Sequence, residues 1–147
     1  MNIKERKNLI KLERIALSCV RRKRWLKAAK LFSQIIAKCP DWAHGNSQYS
    51  LACCYEELGR LDDARQWYIN ALKIEPGNPY FLGGYTSFLY LHGDPSEAYN
   101  YYMALIRAEG CTDEVIKQCA PALKVLADKS GLSHETLEQD LIKLKVK

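Results

Sequence analysis

Six cysteines (Cys19, Cys39, Cys53, Cys54, Cys111 and Cys119) and three histidines (His44, His92 and His134) are the residues of this 147-residue chain best equipped for nucleophilic or metal chemistry. Their spacing argues against both. There is no C-x-x-C, and no histidine stands near a cysteine at the spacing of a zinc site. The one adjacent pair, Cys53-Cys54, points in two directions if it lies on a helix. A chain of this length can bury a core without disulfide staples, so reduced thiols packed as small apolar groups are expected. The sequence has no G-x-S-x-G, no H-E-x-x-H, no EF-hand loop and no Gly-rich phosphate loop. Gly83-Gly84 lacks the neighbouring lysine and the preceding strand of a phosphate cradle. The expectation is a protein that is not an enzyme and holds no metal or cofactor.

Charge offers the next chemistry. Residues 1–30 carry eleven basic and two acidic side chains, an excess of +9 in a chain whose net charge is +5, so residues 31–147 carry −4. The densest run is Arg21-Arg22-Lys23-Arg24. Two readings stay open. Placed at a helix C-terminus, these cations meet the negative end of the helix dipole and need no partner. Alternatively, they form an electrostatic site for an acidic partner protein or for nucleic acid. With Trp25 the one aromatic beside them, the nucleic-acid reading is the alternative rather than the first choice.

The elements that position these groups follow from composition and repetition. Hydrophobic residues make up 48%, charged residues 27% and aromatics 10%, with 8 Gly and 5 Pro, which fits one packed globular domain over 1–147 and excludes a disordered or collagen-like chain. No stretch approaches the ~18 apolar residues of a membrane span, and residues 1–11 have no apolar core of a signal sequence. Neither membrane insertion nor export is expected, and the expected location is the cytoplasm.

A small residue followed four positions later by an aromatic recurs as Ala28…Phe32, Ala64…Tyr68 and Ala98…Tyr102. The intervals are 36 and 34 residues, and Pro40 and Pro76 are also 36 apart. Upstream, Tyr55, Gly59 and Ala64 are matched 34 residues on by Leu89, Gly93 and Ala98. A period of this size marks stacked helical hairpins, each unable to bury its apolar stripe alone. Gly59 and Gly93 fall where a helix must stop, and glycine accepts the left-handed backbone of a C-cap. Asp94-Pro95-Ser96-Glu97 and Asn78-Pro79 read as N-caps with proline in the first turn. Ala64 and Ala98 let two helices approach, and Tyr68 and Tyr102 fill the space one turn later.

These positions resemble the tetratricopeptide repeat (TPR). The segment at about 45–78 has Leu51, Ala52, Tyr55, Gly59, Ala64, Tyr68, Ala71 and Pro76 in its pattern, with Gln48 in place of the early tryptophan. The segment at about 9–42 keeps Ile15, Ala16, Trp25, Ala28, Phe32 and Pro40, with Lys23 at the turn glycine and Cys19 at the aromatic. Ala43 and His44 are extra residues before the next copy. The segment at about 79–112 keeps Gly93, Ala98 and Tyr102, with Thr86 for the small residue and Gly110 for the proline. Residues 113–147 read as a degenerate fourth repeat or as capping helices. One starts at Thr112-Asp113, is kinked by Pro121 and ends at Lys129-Ser130-Gly131, and the other starts at Ser133-His134-Glu135.

The resemblance implies an all-α, right-handed α-solenoid of antiparallel helix pairs, and a protein–protein interaction module binding a partner segment in a concave groove lined by the first helix of each repeat. The implied lining is Asn46, Tyr49, Cys53 and Glu56 in the second repeat, and Tyr80, Gly83, Ser87 and Tyr90 in the third. In the first it is Ile10, Glu13, Leu17 and Val20. Tyrosines offer large contact area with little entropy to lose, and Gly83 leaves room for a partner, although tyrosine at helical spacing also serves plain packing. One branch of the family clamps acidic chaperone tails with lysine, arginine and asparagine. Glu13, Leu17, Ser50, Tyr80 and Gly84 stand at those places here, so that activity is not expected. Small secretion chaperones also carry three such repeats but are usually acidic, unlike this +5 chain.

Overall fold

The computed structural model describes residues 1–110 and 112–145. Cys111, Val146 and Lys147 lie outside them. Among the described residues the regular structure is helical throughout: α1 (Ile3–Arg21), α2 (Trp25–Lys38), α3 (Asn46–Glu57), α4 (Leu61–Ile74), α5 (Pro79–His92), α6 (Pro95–Ala108), α7 (Asp113–Lys129) and α8 (His134–Lys145). The helices fall into two compact units, Met1–Pro76 and Gly77–Lys147.

In the first unit α1 packs on α2, α2 on α3 and α3 on α4. Its apolar stripes meet at Leu9, Ala16, Cys19, Ala28, Ala29, Phe32, Ile35, Leu51 and Cys54, with Trp25, Trp42, Tyr55 and Trp67 packed around them. Each large side chain removed from water there contributes roughly 1.5–3 kcal/mol. Ala64 and Ala98 are fully buried, and each is a methyl where any longer side chain meets a packed neighbour. α1 begins six residues before the repeat pattern, because Asn2 and Glu5 form a reciprocal capping box that opens a helix at Ile3.

Two turns in this unit are built alike. At the end of α1, Arg24 N–H donates to the Cys19 carbonyl at 2.8 Å and Lys23 N–H to that of Val20 at 2.9 Å. At the end of α3, Arg60 donates to Tyr55 at 2.9 Å and Gly59 to Glu56 at 3.0 Å. Both are Schellman closures, which place one residue in the left-handed region. That residue is Gly59 (φ 73°) in one and Lys23 (φ 55°) in the other. The extra residues Ala43 and His44 are also left-handed (φ 53° and 52°), ahead of Gly45 at φ 92°. Buried Gln48, where the repeat pattern has tryptophan, donates through Nε2 to the Pro40 carbonyl and ties the start of α3 to the end of α2.

In the second unit α5 packs on α6, α6 on α7 and α7 on α8. Asn78 and Asp94 cap α5 and α6 as expected, each side chain accepting from two backbone N–H groups. Gly93 departs from expectation: its backbone is extended (φ −109°, ψ −167°), not left-handed. Pro95 forces Asp94 into the extended region, so the chain turns within two residues and leaves no room for a Schellman closure. Glycine is still demanded there, by space: a Cβ would lie 2.7 Å from the Leu89 side chain. α7 runs through Pro121 as one helix and ends in a Schellman closure at Gly131 (φ 72°). Tyr99 of α6 donates to Asp140 of α8 at 3.0 Å, fastening the last helix.

Candidate functional site

On α3 the predicted residues Asn46, Tyr49, Cys53 and Glu56 advance by three and four positions, so they share one face. Asn46 is exposed, and its amide donates to the Ala43 carbonyl at 2.8 Å, closing the left-handed turn. The other three gather around Tyr68 of α4, which does more than fill space. The Tyr49 ring stands edge-on to that of Tyr68, with centroids 5.6 Å apart. The Tyr68 hydroxyl donates to Glu56 Oε2 at 2.6 Å, and Cys53 Sγ lies 3.5 Å from it. Burial, then the neighbouring Cys53 and Glu56, pushes the Tyr68 hydroxyl well above the usual phenol range, so it remains a donor. Burial also raises the Cys53 thiol, which keeps it from acting as a thiolate at neutral pH. Cys54 faces the core, and burial pushes it up to about 12. The face thus offers a fixed carboxylate, a phenol and a thiol: groups for hydrogen bonding rather than for bond-making.

On α5, Phe81, Leu82, Tyr85, Thr86, Phe88 and Leu89 are buried. The predicted residues occupy the remaining stripe. Tyr80 is 66% exposed and Ser87 is exposed. A Cβ built on Gly83 meets nothing within 4 Å, so open space lies beside the helix there. Tyr90 is half-buried, with the Lys129 ammonium of α7 5.7 Å from its ring centroid. Tyr102 of α6 is held above the usual phenol range by burial first, then by Cys119 and Tyr90. Tyr102 stands at a repeat position, but Lys129 and Cys119 carry no repeat-specific signal that would have brought them to this place. On α1, Ile10 and Glu13 are half-buried, Leu17 is exposed, and Val20 packs against the unit's core.

The basic run is exposed at all four positions. A helix C-terminus accounts for part of it. Arg21 is in the last turn of α1, Arg22 is its C-cap and Lys23 follows, but Arg24 is the N-cap of α2. There the helix dipole is positive and repels a cation.

Among the described residues no group of three or more His, Cys, Asp and Glu could hold a metal ion. His134 meets Asp128 at 2.9 Å, His44 meets Glu75 at 3.8 Å, and the His92 ring lies 5.4 Å from that of Phe88. Cys19, Cys39, Cys53, Cys54 and Cys119 are free thiols. No helix among the described residues is long and apolar enough to cross a membrane.

Comparison with known proteins bears on the fold. The model of a family described as a domain of unknown function (DUF6340) matches residues 14–106. No curated protein is significantly similar in sequence. Among solved structures, the type III secretion chaperone SycD of Yersinia enterocolitica, in complex with a peptide of the translocator YopD, superposes with a TM-score of 0.73 at 16% identity, over 84% of this chain and 95% of that one. The Sgt2 TPR domain of Aspergillus fumigatus gives 0.68 at 21% identity, over 84% and 80%. The first TPR of Spaghetti (RPAP3), bound to an HSP90 peptide, gives 0.69 at 12% identity, over 82% and 97%. The fold is therefore the all-α tetratricopeptide type, as the resemblance of the repeat positions implied.

Proposed function

We propose that this chain, which belongs to the DUF6340 family, is a protein-interaction module without catalytic activity that holds a segment of a partner protein on the Tyr80–Gly83–Ser87–Tyr90 face of α5 in its second unit, the Tyr49–Cys53–Glu56 face of α3 in its first unit being a contact surface in its own right. In this reading residues 9–42, 45–78 and 79–112 are three repeats, and 113–147 is a degenerate fourth copy or a pair of capping helices. The protein acts in the cytoplasm.

One observation carries the reading. On a helix whose other sides are buried and, but for Thr86, built of aromatic and aliphatic residues, a tyrosine stands largely in water one turn from a glycine with open space beside it. A mid-helix glycine is unfavourable by about 1 kcal/mol against alanine. Nothing in the packing requires it, since no neighbour excludes a Cβ. Room for a ligand's backbone accounts for it, and tyrosine is a residue that binding surfaces favour. Two proteins of similar fold are seen with peptides, SycD with one from YopD and the first TPR of RPAP3 with one from HSP90.

The test is Gly83→Arg. A partner is captured from extract of the source cells on the wild-type protein, its bound segment is mapped, and that segment is titrated against both proteins. Affinity should fall at least roughly tenfold while the melting temperature holds or rises, because arginine is the better helix former. Equal affinity would move the binding surface off α5.

A further inference from the structure

The turn between α1 and α2 differs from its counterpart 36 residues on in one respect that geometry does not explain. Arg24 and Arg60 cap α2 and α4 with nearly the same backbone (φ −88°, ψ 64° and φ −88°, ψ 72°). Arg60 is neutralised on the spot: its Nε donates to Asp63 at 2.8 Å, its Nη2 lies 2.7 Å from the same carboxylate, and Asp62 adds a second acid to the first turn. At the places of Asp62 and Asp63, α2 has Leu26 and Lys27, and its first turn holds no acid. Among the described residues none of Arg21, Arg22, Lys23, Arg24, Lys27 and Lys30 is in an ion pair. Like charges this dense repel one another and the positive end of α2.

These cations also surround something apolar. A cleft of about 470 Å³ is lined by Lys23, Arg24, Trp25, Leu26, Lys27, Lys30 and Leu58. Leu26 is 55% exposed and Leu58 36% exposed. Lys23 completes the rim from a left-handed backbone that is strained for an ordinary residue, at the position where the sister turn has Gly59. Backbone strain, unneutralised charge and exposed leucine coincide at one spot.

We propose that this cleft docks an acidic segment of a partner protein, which sets one large apolar side chain on Leu26, Leu58 and Trp25 and its carboxylates against Lys23, Arg24, Lys27 and Lys30. Its lining shares no residue with the α3 and α5 faces. Charge complementarity selects the sign of the occupant, and the aliphatic floor selects protein over nucleic acid: bases stack on aromatic platforms, and this floor is mainly leucine. Carboxylates would also supply what the first turn of α2 lacks.

The test is a selection of displayed random peptides on the full-length wild-type protein, with counter-selection on the variant carrying Lys23→Gln, Arg24→Gln, Lys27→Gln and Lys30→Gln. Glutamine keeps helix propensity nearly unchanged, and circular dichroism melting verifies both folds. Peptides retained on wild type alone should combine several Asp or Glu with one Phe, Leu, Ile or Trp. By fluorescence anisotropy, such a peptide should bind the charge variant at least roughly tenfold more weakly, with the difference shrinking as salt screens the rim. Leu26→Ser, at an exposed position, should weaken it at least roughly fivefold with the fold intact. Three results would each overturn the proposal: the same peptides retained on both proteins; acidic peptides bound with no apolar preference and no response to Leu26→Ser; or a single-stranded RNA of equal charge bound as tightly as the peptide.

Discussion

Replacing Lys23 with glycine should make the protein more stable and its α1–α2 cleft a poorer docking surface. Lys23 sits at φ 55° in a Schellman closure whose hydrogen bonds match those around Gly59. The left-handed region costs an L-residue about 1–2 kcal/mol. Glycine removes that cost but loses about 0.5–1 kcal/mol more backbone entropy on folding. The net gain should be about 0.5–1 kcal/mol. Gly59→Ala is the mirror experiment. A Cβ there meets nothing within 4 Å, so it reads backbone strain alone and should lose a similar amount. Lys23→Asn is a second relief of the same strain, since asparagine tolerates the left-handed region better than lysine; like glycine it also removes the cation. The assay is equilibrium urea unfolding at 25 °C in enough salt to screen Arg22 and Arg24, read as the midpoint at constant slope. Lys23→Gly and Lys23→Asn should raise the midpoint, Gly59→Ala should lower it, and Lys23→Gly should bind acidic peptides more weakly. A lowered midpoint for Lys23→Gly, with Gly59→Ala unchanged, would refute the left-handed assignment of both turns.

Other outcomes follow from single contacts. Ala64 is fully buried, so Ala64→Leu should overpack and lose about 1–3 kcal/mol in the same assay; an unchanged midpoint would mean the helices do not meet there. Tyr68→Phe removes the donor to Glu56 at 2.6 Å and should lose about 1 kcal/mol; a neutral effect would dissolve the cluster on α3. With its thiol raised to about 12 by burial, Cys54 is protonated at pH 8. In native protein, iodoacetamide should label it far more slowly than half-buried Cys39, and equal labelling would contradict its place in the core.

The fold was legible through the resemblance of residues 45–78 and their flanking copies to a known repeat, and part of that pattern has a plain physical cause: close helix packing demands a methyl at Ala64 and Ala98 and bulk one turn on. Reading the site was harder. Register put Tyr49, Cys53 and Glu56 on one face of α3, but not Tyr68 between them, because a hydroxyl's direction depends on how two helices face each other. Lys23 stood visibly at a glycine position, yet the sequence does not say whether the backbone stays left-handed or the turn changes. Gly93 shows the other outcome: Pro95 shortens the turn and the glycine serves space instead. Arg24 read as the tail of α1 until the structure made it the cap of α2.

The central claim is that the exposed face of α5 holds a partner segment. Site-specific photo-crosslinking in the source cells tests it most directly, with a benzoyl-phenylalanine placed at exposed Tyr80 and, as control, at exposed Gln66 of α4. Position 80 should crosslink to one discrete peptide of another protein, the product should vanish when Gly83→Arg is added, and position 66 should not give it. Crosslinks that are the same from both positions, or that survive Gly83→Arg undiminished, would contradict the account.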